Sequence, residues 1–331
     1  MNHDRTAGEF CHRLRNINAG EVAGEGYARS YLDHLIKNCE YYTAIYKSVL
    51  NEVEAATGKE AKEITIVDYG CGNGLLGLFA WYCGFGQVIF QDVDDDFLDS
   101  AERLCKSCKA DRVSFVKGEI GGLVGKPLRI DAVAGTDVIE HIYNLDDFLS
   151  KVKFLNPSMV TVFTTAANPS NPFLVKKIRE LQYKDEYLGN EGGNLSGKPH
   201  PPFIETRRAI IAEKFPDVKE VDELAAATRG LAGADIVKAV DEFILTKRLP
   251  APAQDANTCD PLTGSFTERI LSISQYNELY ARHGFKLEIK RGFYNGRKKG
   301  LKGLPGKVLN KLLFFLGKTF SPFIIIKGFQ K

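Results

Sequence analysis

The chain has 331 residues, 44% apolar and 26% charged, the balance of a folded protein with a sizeable core, which excludes a disordered or low-complexity chain. Its 44 basic and 42 acidic residues leave a net +2, the footprint of neither a nucleic-acid binder nor an acidic scaffold. The sum hides an asymmetry. Residues 295–331 hold nine basic side chains (Arg297, Lys298, Lys299, Lys302, Lys307, Lys311, Lys318, Lys327, Lys331) and no acid, so the rest carries 35 basic against 42 acidic, a net −7.

The first sixteen residues, MNHDRTAGEFCHRLRN, are polar and lack the apolar stretch of a secretory signal. No window reaches the roughly 18 apolar residues of a membrane span. The seven cysteines are odd in number and scattered, so reduced thiols in a cytoplasm are expected. Cys105 and Cys108 form a C-x-x-C pair without a second pair of zinc ligands, and read as two thiols one turn apart on a helix.

Residues 20–56 have helical periodicity, with Tyr27, Tyr31, Leu35 and Ile36, then Tyr42, Ile45, Tyr46, Val49 and Leu50 at three- and four-residue steps. Thr57-Gly58-Lys59 breaks it, and the apolar run Ile64–Val67 reads as a buried strand. A glycine cluster follows, then a helix over Leu75–Cys83 and a strand over Val88–Gln91. Val113–Val116, Ala132–Ala134 and Val160–Thr165 are further strands. Leu145–Leu155 is a helix with Asp146 and Asp147 in its first turn, where they suit the helix dipole. Such alternation predicts a parallel sheet covered by helices on both faces. Residues 173–264 break the rhythm with helical patterns, Gly- and Pro-rich stretches and no convincing strand, and read as an inserted lid. A helix over 272–283 and β-rich runs at Phe285–Ile289 and Phe323–Ile326 return to the sheet. The predicted organisation is an N-terminal helical segment (1–60), a Rossmann-like domain (61–172 and 265–331) and the helical insertion (173–264).

Asp68-Tyr69-Gly70-Cys71-Gly72-Asn73-Gly74 lies where a buried strand turns into a helix, where glycines admit close approach of a ligand and the helix N-terminus offers free N–H groups. Gly72-Asn73-Gly74-Leu75-Leu76-Gly77 also satisfies the dinucleotide pattern G-x-G-x-x-G, with Asp92 downstream. Three features favour S-adenosylmethionine (SAM) over a dinucleotide. Asp68 can hold the turn through backbone amides or meet an ammonium, but would repel a pyrophosphate. Asp92 ends the next strand, where it can accept both ribose hydroxyls. Glu119 follows strand three, where it can take the adenine amino group while Ile120 covers the ring.

At these residues the chain resembles the class I SAM-dependent methyltransferases. Asp68-x-Gly70-x-Gly72-x-Gly74 matches the family's first motif, and Asp92 and Glu119 match its next two acidic positions. Asp131–His141 (DAVAGTDVIEH) resembles strand four and the loop facing the methyl donor. Ile273–Phe285 resembles the final helix and its entry into strand six, and Pro322–Lys331 the antiparallel seventh strand. The resemblance implies a Rossmann-like doubly wound seven-stranded sheet with an antiparallel last strand. It implies SAM held by Asp68, Gly70, Cys71, Gly72, Gly74, Leu75, Asp92, Val93, Glu119, Ile120 and Thr136.

Asp137-Val138-Ile139-Glu140-His141 is most similar, within the family, to the ubiquinone-biosynthesis O-methyltransferases and, more remotely, to small-RNA 2′-O-methyltransferases. In those groups an acidic residue, Glu and His, completed by a later residue, can hold a divalent ion beside the acceptor hydroxyl. Asp137, Glu140, His141 and His200 are then candidate ligands for Mg²⁺ or Mn²⁺. The metal-free reading makes His141, with Glu140 and Asp137, the acid–base group at the acceptor; a third leaves Glu140-His141 to shape the loop.

In the insertion, Tyr183, Tyr187, His200, Phe203, Arg207 and Arg208 suit a sugar, phosphate or aromatic acceptor, or simply pack helix faces. Thr228–Phe243 is amphipathic and could serve a homodimer. Leu304–Leu316 alternates lysines with apolar residues, as an interfacial helix does or as a last helix covering the sheet would. The expected activity is methyl transfer to a hydroxyl of a small acceptor, with an amine or aminosugar as the alternative. A dinucleotide-dependent oxidoreductase and a non-catalytic protein on the same fold are the other classes. No nucleic-acid partner is expected; contact of the basic tail with a membrane or an anionic ligand is the alternative to a last helix that simply covers the sheet.

Overall fold

A computed structural model describes residues 3–192, 198–250, 257–296 and 304–330. Arg297, Lys298, Lys299, Lys302 and Lys331 of the basic segment lie outside the described residues. The chain divides into two compact units.

The first unit comprises Met1–Ile139, Asn144–Asn171 and Ser272–Lys331. Its strands are β1 (Thr65–Tyr69), β2 (Gln87–Asp92), β3 (Val113–Lys117), β4 (Ala132–Thr136), β5 (Val160–Thr165), β6 (Lys286–Arg291) and β7 (Ile324–Phe329). They form one seven-stranded sheet in the order β3-β2-β1-β4-β5-β7-β6. All neighbouring pairs from β3 to β5 are parallel, and β7 runs antiparallel to both β5 and β6. This is the doubly wound, Rossmann-like sheet with an antiparallel last strand that the sequence predicts. Central strands covered on both faces are buried along their length rather than at alternate positions, and β5 (VTVFTT), half of it threonine, is buried at every position.

The helices of this unit show where periodicity alone misleads. The predicted run over 20–56 is three helices, α2 (Ala19–Ala23), α3 (Tyr27–Lys37) and α4 (Cys39–Thr57), preceded by α1 (His3–Arg15) in the stretch read as merely polar. Gly24 (φ +65°) and Gly26 (φ +90°) take left-handed backbone between α2 and α3, which ordinary side chains resist. In α1 the stripe Phe10, Cys11 and Leu14 is buried and too short to stand out among charges. The remaining helices are α5 (Leu75–Tyr82), α6 (Asp95–Ser107), α7 (Leu145–Leu155), α12 (Ile273–Arg282) and α13 (Leu304–Leu316). Cys105 lies on α6 and Cys108 caps it, both buried free thiols. One expectation is corrected: Cys11 and Cys39 form a disulfide, Cα atoms 5.7 Å apart and 28 residues apart in sequence. The packing of α1 against α4 brings them together, which no sequence spacing announces.

The second unit comprises Glu140–Tyr143 and Pro172–Leu271, with α8 (Pro172–Tyr187), α9 (Phe203–Lys214), α10 (Val221–Ala227) and α11 (Ala234–Thr246). As predicted, it is helical; its β-structure among the described residues is confined to isolated bridges. Ile211, Leu224, Ala225, Ile236, Val240 and Phe243 form its core. Among the described residues no helix of either unit is long and apolar enough to cross a membrane.

Candidate active site

In an open sheet of this order the crevice lies beyond the carboxyl ends of the strands where the winding reverses, here between β1 and β4. The loop leaving β1 enters it. Gly70, Gly72 and Gly74 all have positive φ, at 61°, 51° and 77°. At Gly70 an added Cβ would sit 2.3 Å from Val138 Cγ2, and at Gly77 2.4 Å from the Phe90 ring, so Gly70 lets the loop after β1 close on the segment after β4, and Gly77 lets α5 close on β2. Gly72 is different: a Cβ there would meet only the ring edges of Tyr31 and Phe97, at 3.8 and 4.0 Å. Its free face looks toward aromatic rings, not backbone. Asn73 is buried and ties the loop down, its Nδ2 donating to Ala28 O (3.1 Å) and Ser100 Oγ (2.8 Å).

Two carboxylates occupy amides here, one in the loop and one in the first turn of α5. Asp68, buried at the end of β1, accepts the Gly77 N–H at 2.8 Å. Asp92, at the end of β2, accepts the Gly72 N–H through Oδ2 (2.8 Å) and the Asp94 N–H through Oδ1 (2.9 Å). Burial pushes the pKa of both up; the backbone N–H bonds hold them down in part, and for Asp68 the neighbouring Asp92 charge adds to the rise. Each carboxylate oxygen can accept two hydrogen bonds, so Asp92 keeps acceptor capacity. Beside it Val93 is 64% exposed, an apolar side chain at the rim.

Glu119 is exposed just past β3, after Gly118 (φ +105°), and its carbonyl accepts Gln91 Nε2 at 2.6 Å. Ile120 is buried, as are Cys71 and Leu75; their side chains pack the frame, and burial pushes the Cys71 thiol up. Thr136 is half-buried at the end of β4. Asp137 follows it, exposed, with φ +51°, a left-handed backbone unusual for a non-glycine residue; its N–H donates to Thr164 O at 2.9 Å.

The site expected from sequence contains none of the tyrosines whose ionisation Asp137 influences. Tyr41 and Tyr42 are half-buried and Tyr46 buried. Burial raises the pKa of all three; neighbouring tyrosines add to it for Tyr41 and Tyr46, and the Asp137 charge contributes to each, Tyr42 rising to about 12. They are therefore neutral hydroxyls at neutral pH. Tyr42 Oη lies 3.0 Å from His34 Nε2, and Tyr41 Oη donates to Phe293 O at 3.1 Å. Tyr31 stacks on Tyr27 and meets Phe97 edge-on. Their helical spacing is legible as a core stripe; what sequence cannot give is that α4 packs on β4 while Tyr31 of α3 reaches Phe97 and the face of Gly72.

The other predicted residues lie in the second unit. His141 Nδ1 is 2.7 Å from Phe266 O; with that carbonyl as acceptor Nδ1 carries the proton and Nε2 of the neutral ring keeps its lone pair. Glu140 is buried, its carbonyl accepting Arg269 N–H at 3.1 Å. His200 stacks on Phe203 at 4.5 Å, with Nδ1 2.9 Å from Pro201 O and Nε2 3.6 Å from Asp185. Among the described residues no group of three or more His, Cys, Asp or Glu side chains is placed to hold a metal ion; Asp137 belongs to the first unit, and Glu140, His141 and His200 to the second. The expectation for Arg207 is corrected. It is fully buried, paired with Glu186 and donating to Ala225 O at 2.8 Å, a core ion pair instead of an arm toward an acceptor. Arg208 is spoken for by Glu205 and Asp222. Tyr183 and Tyr187 lie against each other, both exposed, on α8.

No protein-family model matches the chain, and no curated protein matches it in sequence. Among solved structures it is similar to the YcgJ protein of Bacillus subtilis (11% identity, 86% of this chain and 99% of that one, TM-score 0.44). An S-adenosylmethionine-dependent methyltransferase of Mesorhizobium loti is similar at 11% identity, 84% and 98% coverage and TM-score 0.41. Phosphoethanolamine N-methyltransferase 2 of Haemonchus contortus is similar at 14% identity, 86% and 52% coverage and TM-score 0.42. Likenesses this remote leave the functional reading to rest on this chain's own residues.

Proposed function

We propose that the first unit binds SAM in the crevice between β1 and β4 and transfers its methyl group to a hydroxyl of a small acceptor. The observation that carries the reading is the occupancy by carboxylates of the glycine loop and of the α5 N-terminus that follows it. Asp68 takes the Gly77 N–H and Asp92 takes the Gly72 N–H, the kind of amide a pyrophosphate would need. Two buried acids in their place disfavour a dinucleotide and suit a ligand with a cationic end and free ribose hydroxyls. SAM, when bound, supplies a methyl group on a positively charged sulfur, which becomes a neutral thioether on transfer.

Asp92 would accept the ribose hydroxyls with its remaining lone pairs, Val93 and Glu119 would border the adenine, and Asp68 would hold the loop-to-helix turn. At the acceptor side, Asp137 and the neutral hydroxyls of Tyr41 and Tyr42 would orient the nucleophile by hydrogen bonding, Asp137 receiving the proton the hydroxyl gives up. Such positioning supplies most of the acceleration in a transfer of this kind. An amine acceptor is the second reading, favoured by the carboxylate of Asp137 among tyrosine rings, an arrangement that attracts cations.

Titration calorimetry tests the assignment. SAM and S-adenosylhomocysteine are expected to bind and NAD not to. Asp92→Ala should weaken SAM about 10- to 100-fold, the loss for hydrogen bonds to a charged group. Binding of NAD instead, or undiminished SAM binding by the variant, would defeat it.

A further inference from the structure

The helix α13 is built inside out. Its inward side is held by polar bonds: Asn310 Oδ1 accepts the Tyr294 N–H at 2.7 Å, Asn310 Nδ2 donates to Tyr294 O at 2.9 Å, and Arg291 donates to the Leu313 carbonyl. Only Gly306 and Leu313 of its residues are buried. Leu304, Val308, Leu312 and Phe315 fall on one face at helical spacing, and they are 53%, 49%, 46% and 83% exposed. Phe314 and Leu316 flank them at 74% and 45%. A surface helix normally turns such a stripe to the core and its charges to water; here the apolar stripe faces outward. Lys307 and Lys311 run along its flank and Lys318 follows it. All three are exposed, and none is in an ion pair among the described residues. Lys327, in contrast, is occupied by Glu52 and Glu288. No acid occurs anywhere in 295–331.

We propose that α13 docks this protein onto the surface of an anionic phospholipid bilayer. A protein partner for the stripe would have to be apolar and acidic at once; a bilayer rich in anionic headgroups presents both properties to a helix lying in its plane. The apolar face enters the boundary between headgroups and acyl chains, about 5–10 Å deep, while the flanking lysines stay at the level of the phosphates. The thirteen residues of α13 make about 20 Å of helix at 1.5 Å per residue, a length that lies along the surface and does not cross it.

The test is co-sedimentation of the full chain with vesicles, with no methylation assay in it, so its outcome is independent of the reaction proposed above. Binding is expected to vesicles of equal phosphatidylcholine and phosphatidylglycerol and not to phosphatidylcholine alone. Lys307→Gln with Lys311→Gln should weaken it about 25-fold, roughly fivefold per lysine near a charged surface. Phe315→Asp, at an exposed position that leaves the fold unloaded, should abolish it. Equal sedimentation with both lipids, none with either, or indifference to both variants would overturn the proposal. So would light scattering that finds a dimer dissociated by Phe315→Asp, which would assign the face to a second copy of the chain.

Discussion

Asp68 shows how one side chain sets the terms of the glycine loop. It is buried, its pKa is raised by that burial, and it accepts one backbone N–H from Gly77. A carboxyl whose folded pKa lies above its unfolded value destabilises the folded state once the pH passes that unfolded value, because the buried charge must then be carried. Asp68→Asn keeps an acceptor for Gly77 and removes the charge. Its expected effect is a higher midpoint of thermal unfolding at pH 7 and a loss of SAM affinity, read by calorimetry on the same preparation. Arg207 and Glu186 make the opposite case. Each is fully buried against the other, so Glu186→Gln or Arg207→Met alone leaves an uncompensated charge. Breaking a buried pair from one side costs about 3–5 kcal/mol, and chemical denaturation should show that loss in the second unit. The sequence displays Arg207 on a helix among aromatics and gives no means of telling a ligand arm from a core pair; the distinction is made by Glu186 and Ala225, which only the packing of α8, α9 and α10 brings to it.

At the level of elements, α4 joins the sheet through charge as well as through Val49, Leu50 and Val53. Glu52 receives Lys290 of β6 at 2.7 Å and Lys327 of β7 at 2.9 Å. Desolvation by burial pushes the pKa of Glu52 up, but hydrogen bonds from the two lysines outweigh it and the net shift is downward. Its contribution to stability is therefore complete above the ordinary glutamate pKa of 4.5 and is lost as the pH falls through the lowered folded value. Denaturation midpoints should decline on acidification below that point, and Glu52→Gln should flatten the decline. The strands themselves were the most legible elements. Val160–Thr165 coincides with β5 because its residues, valine, threonine and phenylalanine, all favour extended backbone. The N-terminal helices were legible in kind and wrong in extent, since Gly24, Gly26 and Asn38 interrupt a periodicity that apolar residues alone continue. At the site, Asp68, Gly72 and Asp92 could be picked out by their order at strand ends. Tyr41, Tyr42 and Tyr46 could not, because the same spacing serves a core and a pocket equally.

For the molecule as a whole, the Cys11–Cys39 link closes a loop of 28 residues across α1 and α4, and loop-closure entropy assigns such a link about 3–4 kcal/mol. Cys11→Ser with Cys39→Ser, or reduction of the unaltered protein, should lower the unfolding midpoint, and the reductant should do nothing further to the double variant. The seam at the other end of the chain bears on how the protein is made. β6 has β7 as its neighbour in the sheet, and β5 turns its free edge to the same strand. Until Ile324–Phe329 has been synthesised, five parallel strands stand with an open margin at β5, and β6 has nothing to pair with. Those are long-range contacts, the slowest kind to form, and an unpaired apolar strand is what drives nascent chains to aggregate. Ile324–Phe329 thus closes two strand edges at once, those of β5 and β6, and a chain that has not yet made these six residues carries both edges open.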